Sequence, residues 1–386
     1  MIVGRGWEEM RADPRDPIRA TPPPEGPGAL VLNVEAPSLG FDGGGVRGAF
    51  AAMLLDMVER AIQHRLGSSL PIGAYFQILA GTSTGAIIAG ALASGMSAEK
   101  VSRFYQASGP SIFAKKRVPM LPGRKWRGID DGAAYSAQPL EELLSDLIGG
   151  LQLSDLDYPL LATGYAMNSR GRRGPVIYYG GPGYCYPDDI SLCDVIRSST
   201  AAPTYFAPSE VEDTRGDVHM IVDGGLAANN PAYLGFLELK RRVRHLTPKP
   251  PIPPRYVILS IGTGADHNGR DPRVVRESPR ASWLVPGPLF VVDQMMHAQS
   301  ELVTHMLRMH DDVHHYRIEF NLQRAWAAMD DPRSIPDLHD MAERIATGNG
   351  VSNEEHLLTW KLQEFMRAFV NISPVAMPGN VPPLYS

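Results

Sequence analysis

Short apolar runs ending at glycines alternate along this chain with longer segments whose apolar residues recur three or four apart. A short strand is expected at Leu39-Gly40-Phe41. The segment VRGAFAAMLLDMVERAI then carries Phe50, Met53, Leu54, Met57, Val58, Ala61 and Ile62 on one helical face. Phe76 to Ala80 predicts a strand, and Ala86 to Ala93 a helix broken at Gly95. Ser97 can cap a further helix through Val101, Phe104 and Tyr105. YPLLATGYAM and PVIYYG read as strands on either side of the polar turn NSRGRRG. VHMIVDGG and RYVILSIGTG read as buried strands that run into glycine-rich turns. Beyond about residue 280 the pattern turns helical, in FVVDQMMHAQSELVTHMLRM and EEHLLTWKLQEFMRAFV, with a strand-like YRIEF between them.

Strands alternating with helices predict an α/β fold with a mostly parallel sheet covered on both faces. Ligands in such folds sit at the carboxyl ends of strands. Three glycine-rich corners fall there, after Phe41, after Ala80 and after Val222. Residues 1–28, with the Pro22-Pro23-Pro24 run, read as a flexible tail. The expected organisation is that tail, one α/β domain over 29–320, and a helical extension over 321–386 packed on the same domain.

Composition narrows the chemistry. Of 386 residues, 44% are hydrophobic and 20% charged, as in a globular protein, and the net charge of −5 argues against general DNA or RNA binding. Two cysteines, Cys185 and Cys193, make no disulfide framework and lack the spacing of a zinc site. The N-terminal stretch has no apolar signal-peptide core, and no run of about 18 apolar residues occurs, so a cytoplasmic location is expected.

The corner after Ala80 reads Gly81-Thr82-Ser83-Thr84-Gly85, a G-x-S-x-G between strand and helix. A serine on so sharp a turn needs small neighbours at Gly81 and Gly85. The following helix aims free amides and its positive end at the hydroxyl. That suits a nucleophile attacking an ester carbonyl. A helix cap by Thr82, Ser83 or Thr84 is the plainer alternative.

The first corner, DGGGVRG, also fits G-x-G-x-x-G through Gly43, Gly45 and Gly48. A dinucleotide fold expects an acid at the end of the next strand, and that strand ends in Ala80-Gly81-Thr82-Ser83 instead. Consecutive glycines otherwise let amides converge on an oxyanion. Arg47 could orient the loop or bind a phosphate, or be an ordinary bracing arginine. In IVDGGLAANNP, Asp223 ends an apolar strand, as a shared-site carboxylate or as a common Asp-Gly turn. No histidine beyond it sits in a recognisable post-strand loop. The residues therefore favour a Ser83–Asp223 dyad, with Asp223 taking the serine proton if burial lifts its pKa.

DGGGVRG, GTSTG and DGG, in that order and setting, resemble the marks of patatin-like phospholipases. VIRSSTAAPTYFAP and YVILSIGTG resemble the segments such proteins carry around the aspartate strand. The resemblance covers roughly residues 37–320, with Phe41 where leucine is usual. It implies a three-layer α/β/α sandwich and hydrolysis of phospholipid acyl esters without metal or cofactor. Ser83 is then the nucleophile and Asp223 its base, with Gly43, Gly44, Gly45, Arg47 and Gly48 forming the oxyanion loop.

A lipase inside a cell needs regulation. The segment 115–127, with six basic residues among Val118, Met120, Leu121 and Trp126, suits peripheral contact with an anionic inner-membrane surface, a phosphorylated regulator, or plain solvation. Chain length and the helical extension resemble bacterial anti-phage effectors switched on by a cyclic oligonucleotide, so a cyclic dinucleotide activator is an expectation of the resemblance, while the sequence leaves a homo-oligomer open. An acyltransferase on the same dyad, and a non-enzymatic nucleotide-binding module using the glycine loop, are the competing readings.

Overall fold

The computed structural model describes residues 26–34, 47–112, 135–169, 172–184, 189–203, 205–213, 215–245, 254–265, 271–279, 283, 291–321 and 332–374. Nine strands form one sheet: β1 (Gly26–Val34), β2 (Ile78–Gly81), β3 (Leu160–Ser169), β4 (Arg172–Gly180), β5 (Ser209–Glu212), β6 (Val218–Asp223), β7 (Arg255–Ile261), β8 (Val313–Ile318) and β9 (Ile372–Pro374). The helices are α1 (Gly48–Leu66), α2 (Thr84–Ala93), α3 (Ala98–Ile112), α4 (Gln138–Ile148), α5 (Leu192–Ser199), α6 (Gly225–Ala228), α7 (Ala232–Arg244), α8 (Pro272–Glu277), α9 (Val291–Arg308), α10 (Ile335–Thr347) and α11 (Asn353–Asn371).

The strand order is β5-β6-β3-β2-β1-β7-β8, with β4 also on β3 and β9 also on β1. Pairing is parallel from β8 through β7, β1 and β2 to β3. It turns antiparallel where β4 and β6 join β3 and where β5 joins β6. The sheet is therefore mixed, parallel from β3 to the β8 edge and antiparallel towards the β5 edge.

Central strands bury both faces, which is why they read as unbroken apolar runs. Leu79, Val257, Leu259 and Ile261 point into a core shared with α1, α2, α10 and α11. Their neighbours Ile78, Ala80, Tyr256 and Ile258 point the other way, onto Phe236 and Leu239 of α7 and Leu307 of α9. Helices on both faces make the chain a three-layer α/β/α sandwich. Helix α2 is buried on every side, in keeping with its uniformly apolar sequence. Ser97 Oγ accepts from Lys100 N at 3.3 Å, the cap expected ahead of α3.

The strand expected at Leu39–Phe41 lies outside the described residues. The first described strand is instead β1, whose start at Gly26 pairs with β9 and overlaps the expected tail. Its apolar run follows directly on a proline- and glycine-rich stretch, which hides it from a periodicity search. The sequence pattern likewise does not mark helices α4 to α8 or strands β5 and β9; β5 and β9 have only four and three residues, too short for a periodic signal. The expected helical extension contributes α10 and α11, and β9 returns its end to the centre of the sheet.

Candidate active site

Strand β3 brings two of the three corners together. Its one edge is taken by β4 along its length. The other edge is shared: β2 runs parallel beside Leu160–Ala162, and β6 runs antiparallel beside Gly164–Asn168. Gly81 lies opposite Ala162 and Asp223 opposite Gly164, so the carboxyl ends of β2 and β6 meet nearly head to head. The sequence pattern predicts three corners on the rim of a parallel sheet; β3 brings the serine and aspartate corners together by an antiparallel approach instead.

Ser83 sits at the N-cap of α2 with φ 55° and ψ −123°, and it is the one non-glycine residue with positive φ among the described residues. Backbone strain of this kind costs about 1–3 kcal/mol and persists only where surroundings enforce it. The enforcement is visible. A Cβ at Gly81 would lie 2.2 Å from the Gly85 carbonyl oxygen, so the turn closes only over glycine. Ser83 N donates to Ser199 Oγ at 2.9 Å. The Gly85 and Ala86 amides turn back to Thr82 O and Ser83 O, and no described residue accepts from the Thr84 amide.

Asp223 is 1% exposed. Its Oδ1 accepts from Gly225 N at 2.7 Å, while Oδ2 has no donor in hydrogen-bond geometry. Burial pushes the carboxyl up to about 6, against the opposing pull of the nearby Ser83 hydroxyl and the Gly225 amide. The hydroxyl is thus close enough to ease ionisation without a fully formed bond.

Polar braces lock the two corners. Thr82 Oγ1 meets Thr163 Oγ1 at 2.7 Å and donates to Ala228 O at 2.8 Å. Gly224 packs so tightly that a Cβ would fall 2.2–2.6 Å from Thr163 Oγ1, O and C. Ser199 serves both sides, since its carbonyl also accepts from Gly224 N at 3.3 Å. Ala201 O accepts from Asp223 N at 3.0 Å. Periodicity and local motifs do not single out Ser199; the one signal is its place in VIRSSTAAPTYFAP, the segment that carries the family resemblance. Asn229 N and Nδ2 reach Gln299 and Ser300 of α9, bracing the turn after Asp223.

Of the first corner, Gly43, Gly44 and Gly45 lie outside the described residues. Arg47 is 1% exposed and donates from Nη1 to Gly264 O at 3.4 Å. Gly48 opens α1 against α2: a Cβ there would stand 3.1 Å from the Tyr105 ring and 3.2 Å from Thr84 Cβ. Tyr105 donates its hydroxyl to Thr84 O at 3.0 Å. The amino ends of α1 and α2 therefore converge beside Ser83, adding two positive helix termini.

Among the described histidines, His219 pairs with Asp213 at 3.1 Å, and His314 lies 3.3 Å from Arg255. One cluster among the described residues could hold a metal, His339, Asp340 and Glu343 on α10, and it contains none of the candidate residues. Cys185 and segment 115–127 lie outside the described residues, and Cys193 is a free thiol. Among the described residues no helix is long and apolar enough to cross a membrane.

A family model for patatin-like phospholipases matches residues 39–235. Patatin-like protein 2 of Arabidopsis thaliana is 26% identical over 86% of this chain and 84% of its own. A cGAMP-activated phospholipase of Vibrio cholerae is 29% identical over 85% of this chain and 94% of its own. Another cGAMP-activated phospholipase, from Escherichia coli, is 32% identical over 53% and 56%.

Proposed function

Since this chain belongs to the patatin-like phospholipase family, a family of lipid-hydrolysing enzymes, we propose that it cleaves phospholipid acyl esters through a Ser83–Asp223 dyad. One observation carries the reading: a strained serine at the end of β2 faces a buried carboxylate at the end of β6 across a single edge of β3. Asp223 takes the proton as Ser83 Oγ bonds to the acyl carbonyl carbon. The carbonyl oxygen gathers the negative charge and turns to the Thr84 amide and the glycine loop of Gly43, Gly44 and Gly45, which Arg47 and Gly48 follow. Collapse breaks the ester bond, and the leaving lysophospholipid oxygen takes the proton back from Asp223. Water then repeats the sequence on the acyl-enzyme, with Asp223 again as base, releasing a fatty acid.

Ser83→Ala removes the attacking oxygen and little else. Its phospholipid hydrolysis should fall to background and a fluorophosphonate probe should no longer label it, with the unfolding midpoint within about 2 °C of the parent. Mass analysis of the labelled parent should place the adduct on Ser83. Hydrolysis surviving in Ser83→Ala would overturn the assignment. Adding an alcohol acceptor to the parent and weighing the products separates hydrolysis from acyl transfer.

The relatives named as cGAMP-activated support a second element, activation by a cyclic dinucleotide. Hydrolysis of phospholipid vesicles should rise when cGAMP is added. An unchanged rate, together with no cGAMP binding by calorimetry, removes this element and leaves the dyad standing.

A further inference from the structure

A fourth glycine-rich turn, which ends β7 as SIGTG, makes none of the contacts to Ser83 or Asp223 described above, yet it is tied to the first corner. Gly264, with φ +89°, offers its carbonyl to Arg47 Nη1 at 3.4 Å. On the other side its amide donates to Glu319 Oε1 at 2.9 Å. The second oxygen of Glu319 is ion-paired with Arg317 Nη2, and Arg317 Nη1 donates to Ser260 Oγ at 3.4 Å on the neighbouring strand. Both side chains of the pair are only 9% exposed. The carboxylate lies flat across the corner, since a Cβ at Gly262 would come within 2.3–2.6 Å of it. Backbone bonds from Gly262 N to Ile318 O and from Ala265 N to Phe320 O flank the contact.

We infer that Glu319 is a positioning residue for catalysis, holding Gly264 so that its carbonyl sets the guanidinium of Arg47 at the start of α1. This inference rests on the reading of Arg47 as part of the oxyanion loop. Its physics is that of a buried cation, which goes where its acceptors are fixed. A carboxylate anchored by Arg317 fixes one of those acceptors more rigidly than a turn held by backbone bonds alone. A positioning error of about 1 Å at a catalytic group costs on the order of 100-fold in rate. Loss of Glu319 should act on the transition state, where the oxyanion forms, and not on ground-state binding.

The test uses the full chain, with kcat and KM measured on phospholipid micelles, with and without cGAMP. Glu319→Gln keeps an acceptor but loses the ion pair, and Glu319→Asp keeps the charge but draws it back. Each folded variant should lose roughly 10- to 100-fold in kcat with KM within about twofold. The loss should be non-additive with Arg47→Lys, the double variant being little slower than Arg47→Lys alone. A folded Glu319→Gln or Glu319→Asp with kcat within twofold of the parent, or losses that multiply with Arg47→Lys, would overturn the inference. Either result with Ser83→Ala still inactive condemns only this inference. An active Ser83→Ala condemns the dyad reading as well.

Discussion

At the scale of single residues, Asp223, as the proposed base, is expected to set the pH profile and carries a cost in stability. A base must be ionised, so hydrolysis should fall as pH drops through about 6, where the carboxyl protonates. The stability sign is opposite to that of a salt-bridged acid. The folded-state pKa is raised above 3.8, so the folded chain binds more protons than the unfolded chain between about 4 and 6. Stability is therefore lost as pH rises through that window, by up to ~3 kcal/mol above it. Asp223→Asn removes the buried charge. It should lower kcat by at least ~100-fold and yet unfold at a higher temperature than the parent at pH 8, an advantage that fades below pH 4. Calorimetric scans at the two pH values check the second half. The trade follows from placing an ionisable group where catalysis needs it and burial opposes it.

At the scale of elements, the site is a property of β3. A strand with one edge taken leaves only the other for two partners, and two partners approaching from opposite ends must meet. Thr163 stands at the meeting point, bonded to Thr82 and covered by Gly224. Gly224→Ala would put a methyl group into the Thr163 backbone. The aspartate corner must then move off β3, and a loss of roughly 2–4 kcal/mol is expected, with hydrolysis suppressed by more than 10-fold even well below the new unfolding midpoint. Urea unfolding and activity at 20 °C measure the two. Unchanged activity in a destabilised Gly224→Ala would mean that the contact holds the fold and not the site. The motifs themselves were legible, because G-x-S-x-G and the Asp-Gly-Gly turn have local steric requirements. Ser199 was not, because a hydroxyl that bonds to residue 83 leaves no local trace at residue 199.

At the scale of the whole molecule, the two faces of the sheet do different work. Helices α10 and α11 close the face shared with α1, and Phe365 of α11 is fully buried among Phe76, Tyr316 and Phe369. Phe365→Ala should cost about 3–5 kcal/mol and lower the unfolding midpoint, while the kcat of the molecules still folded at 20 °C stays within about twofold. A large fall in kcat for folded Phe365→Ala would tie the C-terminal helices to the site itself. The opposite face, under α7 and α9, carries the braces from Gln299 and Ser300 to the turn after Asp223. The long apolar runs made the layered α/β architecture readable. The mixed character of the sheet was not, since a strand's direction depends on which neighbour it finds.

The amino-acid sequence by itself determined the serine and aspartate corners, the hydroxyl and the carboxylate proposed for the site, and the two-faced burial of the central strands, because each follows from sterics or periodicity within a few residues. Only the tertiary structure decided that β6 meets β2 end-on along β3, that Ser199 serves both corners, and that Glu319 stands behind Gly264. Those depend on pairing and packing between segments far apart in the chain, for which local physics carries no signal.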